Sequence, residues 1–197
     1  MPELRKGTAV LITGTPGTGK TTTSRILATE LGARYVEPRE LLRRKGLDYV
    51  YDRKRKTRIV SLRRLRNAIY ERAARADQGL VIDSHIPLET GHFPRLLRVI
   101  VLRCDPIVLG RRLERKRWSK PKIGENLQAE ILDICLWDAV KNHGWDKILE
   151  IDTTDKAPGQ VVRLIMRDLC RRRVQKQPKV NWLSDLKRRG ILTRYLK

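Results

Sequence analysis

At 197 residues the chain is long enough for one domain with a sizeable core and a small appendage. Forty-four Lys and Arg against 22 Asp and Glu leave a net charge of +22, far beyond what solubility needs; it points to a polyanionic partner such as RNA, because a merely heat-adapted surface usually balances its signs. No apolar run approaches the ~20 residues of a membrane span, and Met1 runs almost directly into the first strand pattern, which leaves no room for a signal peptide and sets the expectation of a cytoplasmic protein with no membrane partner.

Thr8 to Thr13 is a short β-prone apolar run of the kind that suits a parallel strand buried on both faces. It leads into Gly14-Thr15-Pro16-Gly17-Thr18-Gly19-Lys20-Thr21, which matches G-x-x-x-x-G-K-[ST], the phosphate-binding loop. The helical stretch that follows carries Ile26, Leu27 and Leu31 on one face and Gly32 at its C′ position, so the motif has the strand–loop–helix context it requires. The glycines let backbone N–H groups curl around phosphate oxygens, and the helix N-terminus adds partial positive charge. Lys20 is placed to contact the β- and γ-phosphates, and the Thr21 hydroxyl to ligate Mg²⁺.

Beyond the loop, strand and helix signals alternate, which is the pattern of a parallel α/β sheet. A second strand is expected near Ala33 to Val36, and Pro38 suits the first turn of a helix. A further helix runs from about Ser61 to Ala76, with Leu62, Leu65, Ile69 and Ala73 on one face. Gly79 to Asp83 reads as a third strand and Arg98 to Leu102 as a fourth, after which Asp105 caps a helix to about Glu114. One helix is expected from about Glu125 to Asn142, with Leu127, Ile131, Ile134 and Cys135 inward; Ile148 to Ile151 is a fifth strand, and a helix from Gln160 to about Arg172 closes the domain. Cys104, Cys135 and Cys170 show neither metal-ligand nor disulfide spacing and read as buried free thiols in a reducing compartment.

The composition changes after Arg173, giving a domain at 1–173 and an extension at 174–197. Arg171 to Lys197 holds ten Lys and Arg and one acid, Asp185. Asn181 can cap a short helix bearing Trp182, Leu183 and Leu186, with Gly190 beyond it. Such a basic amphipathic segment either docks on its own domain or grips a partner; Trp182 reads as packing in preference to a base-stacking platform.

Asp83, at the end of an apolar strand, stands where a Walker-B-type acid holds Mg²⁺ directly or through water. Strand alternation puts His85 on the same side. There it reads equally as a group that positions water near the γ-phosphate and as a satisfied structural histidine. Basic residues recur where phosphoryl transfer needs them: Arg43 after the second strand, and Arg111, Arg112, Arg115, Lys116 and Arg117 after the fourth. The stretch at about 115–125, with Trp118, Pro121 and Gly124, has the look of a short lid.

In the phosphate loop, in Asp83-Ser84-His85, in Val101-Leu102-Arg103, in Arg112-Leu113-Glu114 and in Glu125 to Ile131, the chain resembles the nucleoside monophosphate kinases, and within them the adenylate kinase isoenzyme 6 family. The resemblance covers about Thr8 to Asp168. It implies an α/β P-loop NTPase fold of the nucleoside monophosphate kinase type, with a five-stranded parallel sheet flanked by helices, a monophosphate-binding segment at about 37–60 and a short lid. It also implies transfer of phosphate from ATP to AMP and other nucleoside monophosphates, ATPase activity, binding to small-subunit ribosomal protein eleven, and contact with rRNA or the pre-ribosome in late small-subunit maturation. By position, Gly14, Gly17, Thr18, Gly19, Lys20, Thr21 and Thr22 would hold ATP, and Thr21 and Asp83 the Mg²⁺. Lys20, Asp83 and His85 would form the catalytic set, Arg43 and Arg112 would meet the monophosphate, and Lys116 or Arg117 would supply the lid contact. The chain departs from the family at the lid, which reads Arg115-Lys116-Arg117-Trp118 where the family has Thr-Arg-Gly-Tyr. It departs again at Arg39 to Arg66, which holds twelve Lys and Arg and three acids where the family is often acidic. A Lys does not copy a bidentate Arg.

Overall fold

The computed structural model describes residues 4–44, 50–52, 57–59, 62–84, 95–171 and 174–196. The central sheet is made of β1 (Ala9–Gly14), β2 (Arg34–Val36), β5 (Leu80–Asp83), β6 (Leu96–Arg103) and β7 (Ile148–Asp152). Its order is β2-β5-β1-β6-β7 and every pairing is parallel. β3 (Val50–Asp52) and β4 (Thr57–Ile59) pair antiparallel as a separate hairpin, which lies in the basic segment and which periodicity did not predict. The helices are α1 (Lys20–Glu30), α2 (Pro38–Arg44), α3 (Leu62–Ala74), α4 (Pro106–Arg115), α5 (Lys120–Ile131), α6 (Ile134–His143), α7 (Pro158–Arg171) and α8 (Trp182–Arg188).

The period of two along each strand divides the core into two layers. Ala9, Leu11, Leu80, Ile82, Val99, Val101 and Ile148 face Ile69 and Ala73 of α3 and Leu136 and Ala139 of α6. Val10, Ile12, Val81, Ile100, Leu102, Leu149 and Ile151 face Leu27 and Ala28 of α1 and Val161, Val162 and Ile165 of α7. Strands covered on both faces have no polar face to show, which is why β1 is buried along its whole length. The side chains of Leu62 and Leu65 lie outside the described residues.

Local chemistry accounts for the helix starts. Pro106 takes the first turn of α4, and the Asp105 carboxylate accepts from Ile107 N at 2.8 Å and Val108 N at 3.4 Å. Asn181 caps α8 by accepting from Ser184 N at 2.9 Å, as the sequence suggested. The single helix expected from Glu125 to Asn142 is two, α5 and α6. They break at Asp133, a non-glycine residue with φ 57°. That break turns Ile134 outward, to 46% exposure, where the unbroken helix had it inward. Of the three thiols expected to be buried, Cys104 is, Cys135 is half-buried and Cys170 is exposed.

The extension docks on α5 and the edge strand β7. Trp182 and Leu186 bury themselves against Ile131, with Val180, Ile191, Leu192 and Tyr195 around them. Two buried carboxylates hold it: Glu150 Oε2 accepts from Lys179 N at 2.5 Å and Val180 N at 3.2 Å, and Glu130 Oε1 accepts from Trp182 Nε1 at 3.0 Å. Arg189 adds an ion pair to Asp105 at 2.7 Å. Among the described residues no helix is long and apolar enough to cross a membrane.

Candidate active site

The loop between β1 and α1 wraps around the N-terminus of α1, and two of its glycines are there for steric reasons. A Cβ at Gly14, at φ 135°, would stand 2.3 Å from Leu102 O; one at Gly17, at φ 97°, would stand 2.8 Å from Leu109 Cδ1. The loop thus needs both the left-handed backbone and the close approach of β6 and α4. Gly19, also at φ 97°, delivers the chain into α1.

Lys20 is buried and its Nζ donates to Gly14 O at 2.8 Å and Thr15 O at 3.2 Å. Burial pushes its pKa down and the nearby Asp83 carboxylate opposes this. The Thr21 hydroxyl donates to Asp83 Oδ2 at 2.7 Å, so the residues assigned to the metal from sequence stand side by side at the ends of β5 and α1. Two hard oxygen donors, one of them anionic, are the ligand type Mg²⁺ takes, and Mg²⁺ fits this pair with its remaining ligands from phosphate and water. Tyr35, the middle residue of β2, donates to Asp83 Oδ2 and to Glu37 Oε2, each at 3.3 Å. Its burial, then Asp83 and Glu37, hold its hydroxyl well above the usual phenol pKa.

A cleft of about 460 Å³ opens over the loop. Gly17, Lys20, Thr21, Thr22, Asp83 and Ser84 form its floor, Glu37 and Pro38 one wall. Lys116, Trp118, Lys122 and Asn126 close the opposite side, from the turn between α4 and α5 and from α5 itself. The segment read as a lid, about 115–125, comprises this tight turn, with Arg117 at φ 58°, and the first half of α5. Lys122 Nζ sits 4.1 Å over the Trp118 ring, a cation–π contact that fixes both at the cleft mouth.

The other residues singled out from sequence fall in different places. Arg117 is not among those lining the cleft, whereas Lys116 is. Arg43, on α2, is exposed and away from the lining. The Arg112 guanidinium donates to Thr153 O at 3.0 Å and Thr154 O at 2.9 Å, which fastens α4 to the end of β7. Thr18 donates to Thr15 O at 2.8 Å. His85 lies outside the described residues, as does part of the 37–60 segment.

Sequence reasoning passed over the group that supports the loop. Glu130 is 1% exposed and gathers four donors: the Thr15 hydroxyl on one oxygen; Arg103 Nε at 2.9 Å, Cys104 N at 3.0 Å and Trp182 Nε1 on the other. Arg103, also 1% exposed, reaches Glu150 at 2.5 Å and Asp133 as well. Burial works to lower the Arg103 pKa, and the three carboxylates outweigh it and hold the guanidinium charged. Thr153 donates to Thr18 O at 3.0 Å and Arg103 O at 2.8 Å. The signal for Glu130 was its place three residues after Leu127, on the inward face of α5.

Comparison with known proteins agrees with this geometry. A family model described as AAA domain matches residues 10–133. The chain is 36% identical over 157 residues to a Pyrococcus abyssi protein named "Putative adenylate kinase", covering 80% of this chain and 81% of that one. It is 33% identical over 168 residues to a Thermococcus kodakarensis protein of the same name, covering 85% and 88%. In shape it is similar to a gluconokinase from Sinorhizobium meliloti 1021, with TM-score 0.55 at 17% identity over 85% of this chain and 94% of that one. It is likewise similar to a shikimate kinase from Aquifex aeolicus, with TM-score 0.53 at 15% identity over 82% and 95%. At such identities the likeness speaks for the fold alone: a P-loop kinase fold with a five-stranded parallel sheet flanked by helices. The match over residues 10–133 and the identity to the archaeal proteins place this chain in the AAA-domain family of P-loop proteins, together with those adenylate kinase relatives.

Proposed function

We propose that the protein is an ATP-dependent nucleoside monophosphate kinase that makes two ADP from ATP and AMP, accepts other monophosphates as well, has ATPase activity, and works in late maturation of the small ribosomal subunit in contact with ribosomal protein eleven. The observation that carries the enzymatic part is the cleft itself. The phosphate loop and the Thr21–Asp83 pair line it together with Glu37 and Pro38, leaving space for an acceptor beside the loop.

In this reading an oxygen of the acceptor phosphate attacks the γ-phosphorus, the bond from that phosphorus to the β–γ bridging oxygen breaks, and ADP leaves with the electron pair. Lys20 exchanges the carbonyls of Gly14 and Thr15 for phosphate oxygens and offsets the charge that spreads over them. Mg²⁺, held by Thr21 and Asp83, would neutralise the same charge. Gly14, Gly17, Thr18, Gly19 and Thr22 cradle the phosphates and Lys116 contacts ATP from the lid side; Arg43, exposed, and Arg112, tied to the Thr153 and Thr154 carbonyls, would each have to move to meet the monophosphate. Trp118 and Lys122 narrow the mouth and limit water, which favours transfer over hydrolysis.

A second reading makes the protein chiefly an ATPase-switched assembly factor with residual kinase activity. It is favoured by the exposure of Arg43 away from the cleft lining and by the net charge of +22. Measuring ADP formation with and without AMP, then again with the ribosomal protein added, separates the two. The kinase reading expects strong stimulation by AMP; a rate indifferent to AMP and raised by the ribosomal protein sinks it in favour of the second.

A further inference from the structure

The chain carries a second concavity, remote from the nucleotide cleft. It is a groove of about 400 Å³ along the free edge of β7, between α7 and the start of the docked extension. Its floor is apolar, formed by Leu149, Ile151 and Leu164. Lys156, Arg167, Arg171 and Lys179 stand around it.

The charges of this groove are unequally matched. Each acid that reaches it is tied inward: Glu150 to Arg103 and to the backbone of Lys179 and Val180, Asp168 to Arg98 at 2.8 Å, Asp152 to Thr154 N at 2.9 Å and the Thr154 hydroxyl. Among the described residues, none of the four cations has a carboxylate within 4.0 Å of its side chain. The rim extends on the outer face of α7, where Arg163, Arg167 and Arg171 are all exposed at i, i+4 and i+8. A helix rises 1.5 Å per residue, so the Cα atoms of these arginines recur about every 6 Å along its axis, close to the step between successive phosphates of an extended nucleic-acid strand. An unpaired row of arginines costs self-repulsion and is relieved by a polyanion laid along it.

We propose that this groove and the arginine row of α7 are a docking surface for single-stranded RNA, with phosphates on the row and base or ribose faces on the apolar floor. The inference rests on the ribosomal setting proposed above for its choice of RNA, and deepens it by giving that setting a surface. A single strand can lay its bases into the concavity, where a duplex would present only a convex phosphate ridge. An acidic polypeptide is the competing occupant; the even spacing along α7 favours the regular charge of a phosphodiester chain.

The test uses the full-length protein and a fluorescein-labelled dodecamer of uridylate, with anisotropy read across a series of KCl concentrations. Wild type should bind with an affinity that falls steeply with salt. The triple variant Arg163→Gln, Arg167→Gln, Arg171→Gln should bind at least tenfold more weakly at low salt, with a slope of log affinity on log salt shallower by about 2, at roughly 0.7 per charge for single strands. All three residues are exposed, and circular dichroism with a melting curve verifies the fold. ADP formation should be unchanged, because none of the three lines the nucleotide cleft. A triple variant that binds like wild type overturns the groove while leaving a ribosomal role to another surface. Polyglutamate that displaces the RNA at equal charge concentration overturns RNA in favour of an acidic protein. An equal preference for the matching oligothymidylate overturns RNA as the intended strand. Co-sedimentation of wild type with small-subunit particles is measured beside these; its absence, with groove binding intact, removes the ribosomal setting and not the groove.

Discussion

The indole N–H of Trp182 donates to Glu130 Oε1 at 3.0 Å, while the other oxygen of the same carboxylate accepts from the Thr15 hydroxyl. A residue of the extension and a residue of the phosphate loop are therefore held by one buried acid. Trp182→Phe keeps most of the apolar contact with Ile131 and Leu186 and removes one of four donors from a buried charge. It should lower stability by about 1–3 kcal/mol and weaken ATP binding several-fold, read from a denaturant midpoint and a fluorescent-nucleotide titration. An unchanged nucleotide affinity beside a lowered midpoint would mean that the bond serves packing alone.

Glu130→Gln leaves Arg103 with one compensating carboxylate fewer in a site that excludes water. Removing one partner of a buried ion pair typically costs about 3–5 kcal/mol. The companion variant Arg103→Met should be similarly costly alone. The double variant should lose less than the sum, and full additivity would show that the two groups do not act as a unit.

Lys20→Ala should reduce phosphoryl transfer by at least ~100-fold with little change in melting temperature, because among the described residues its amine bonds to two backbone carbonyls of the loop. Asp83→Asn keeps an acceptor for Thr21 but removes the negative charge. It should raise the Mg²⁺ concentration needed to tighten binding of a fluorescent ATP analogue, with binding of the metal-free analogue much less affected.

His143 closes α6 from a buried position, and burial, with Lys147 beside it, holds its pKa down at about 4 against an ordinary 6.5. Between those values the unfolded chain binds a proton that the folded chain refuses. Stability is therefore fully present above about pH 6.5 and falls as pH drops towards 4, by about 3 kcal/mol at one pKa unit per 1.36 kcal/mol. His143→Gln should flatten that part of the stability profile relative to wild type. Parallel profiles for the two proteins would show the histidine not to be the source.

Burial pushes the Cys104 thiol up to about 12, whereas Cys170 is exposed. Ellman's reagent on the native protein should therefore label one thiol quickly, and Cys170→Ser should remove that phase. Labelling of Cys104 should wait for unfolding.

Much of the nucleotide side of the site is legible in the chain itself, because its determinants are local. Gly14 to Thr21 and Asp83 declare themselves by spacing and by the strands that precede them, and the five parallel strands follow from alternation of apolar runs with helical periods. What escaped depends on partners far along the chain. Glu130 and Arg103 look like solvated charges until Glu150, Asp133 and Trp182 are brought beside them. Tyr35 gains its role only because β2 and β5 are neighbours. The β3–β4 hairpin carries charged residues in place of an alternating apolar pattern. The break between α5 and α6 rests on a left-handed Asp133, a conformation no helical period announces.

The bond network through Glu130 also has an order in time. Translation delivers the phosphate loop long before Trp182, which lies 161 residues beyond Thr21. A nascent chain can lay down β1, β5 and β6 and still lack the indole that completes the acid behind Thr15. The loop is thus fully secured only once Trp182 has been made, so a product stalled before it would carry the nucleotide motif without the brace that sets it.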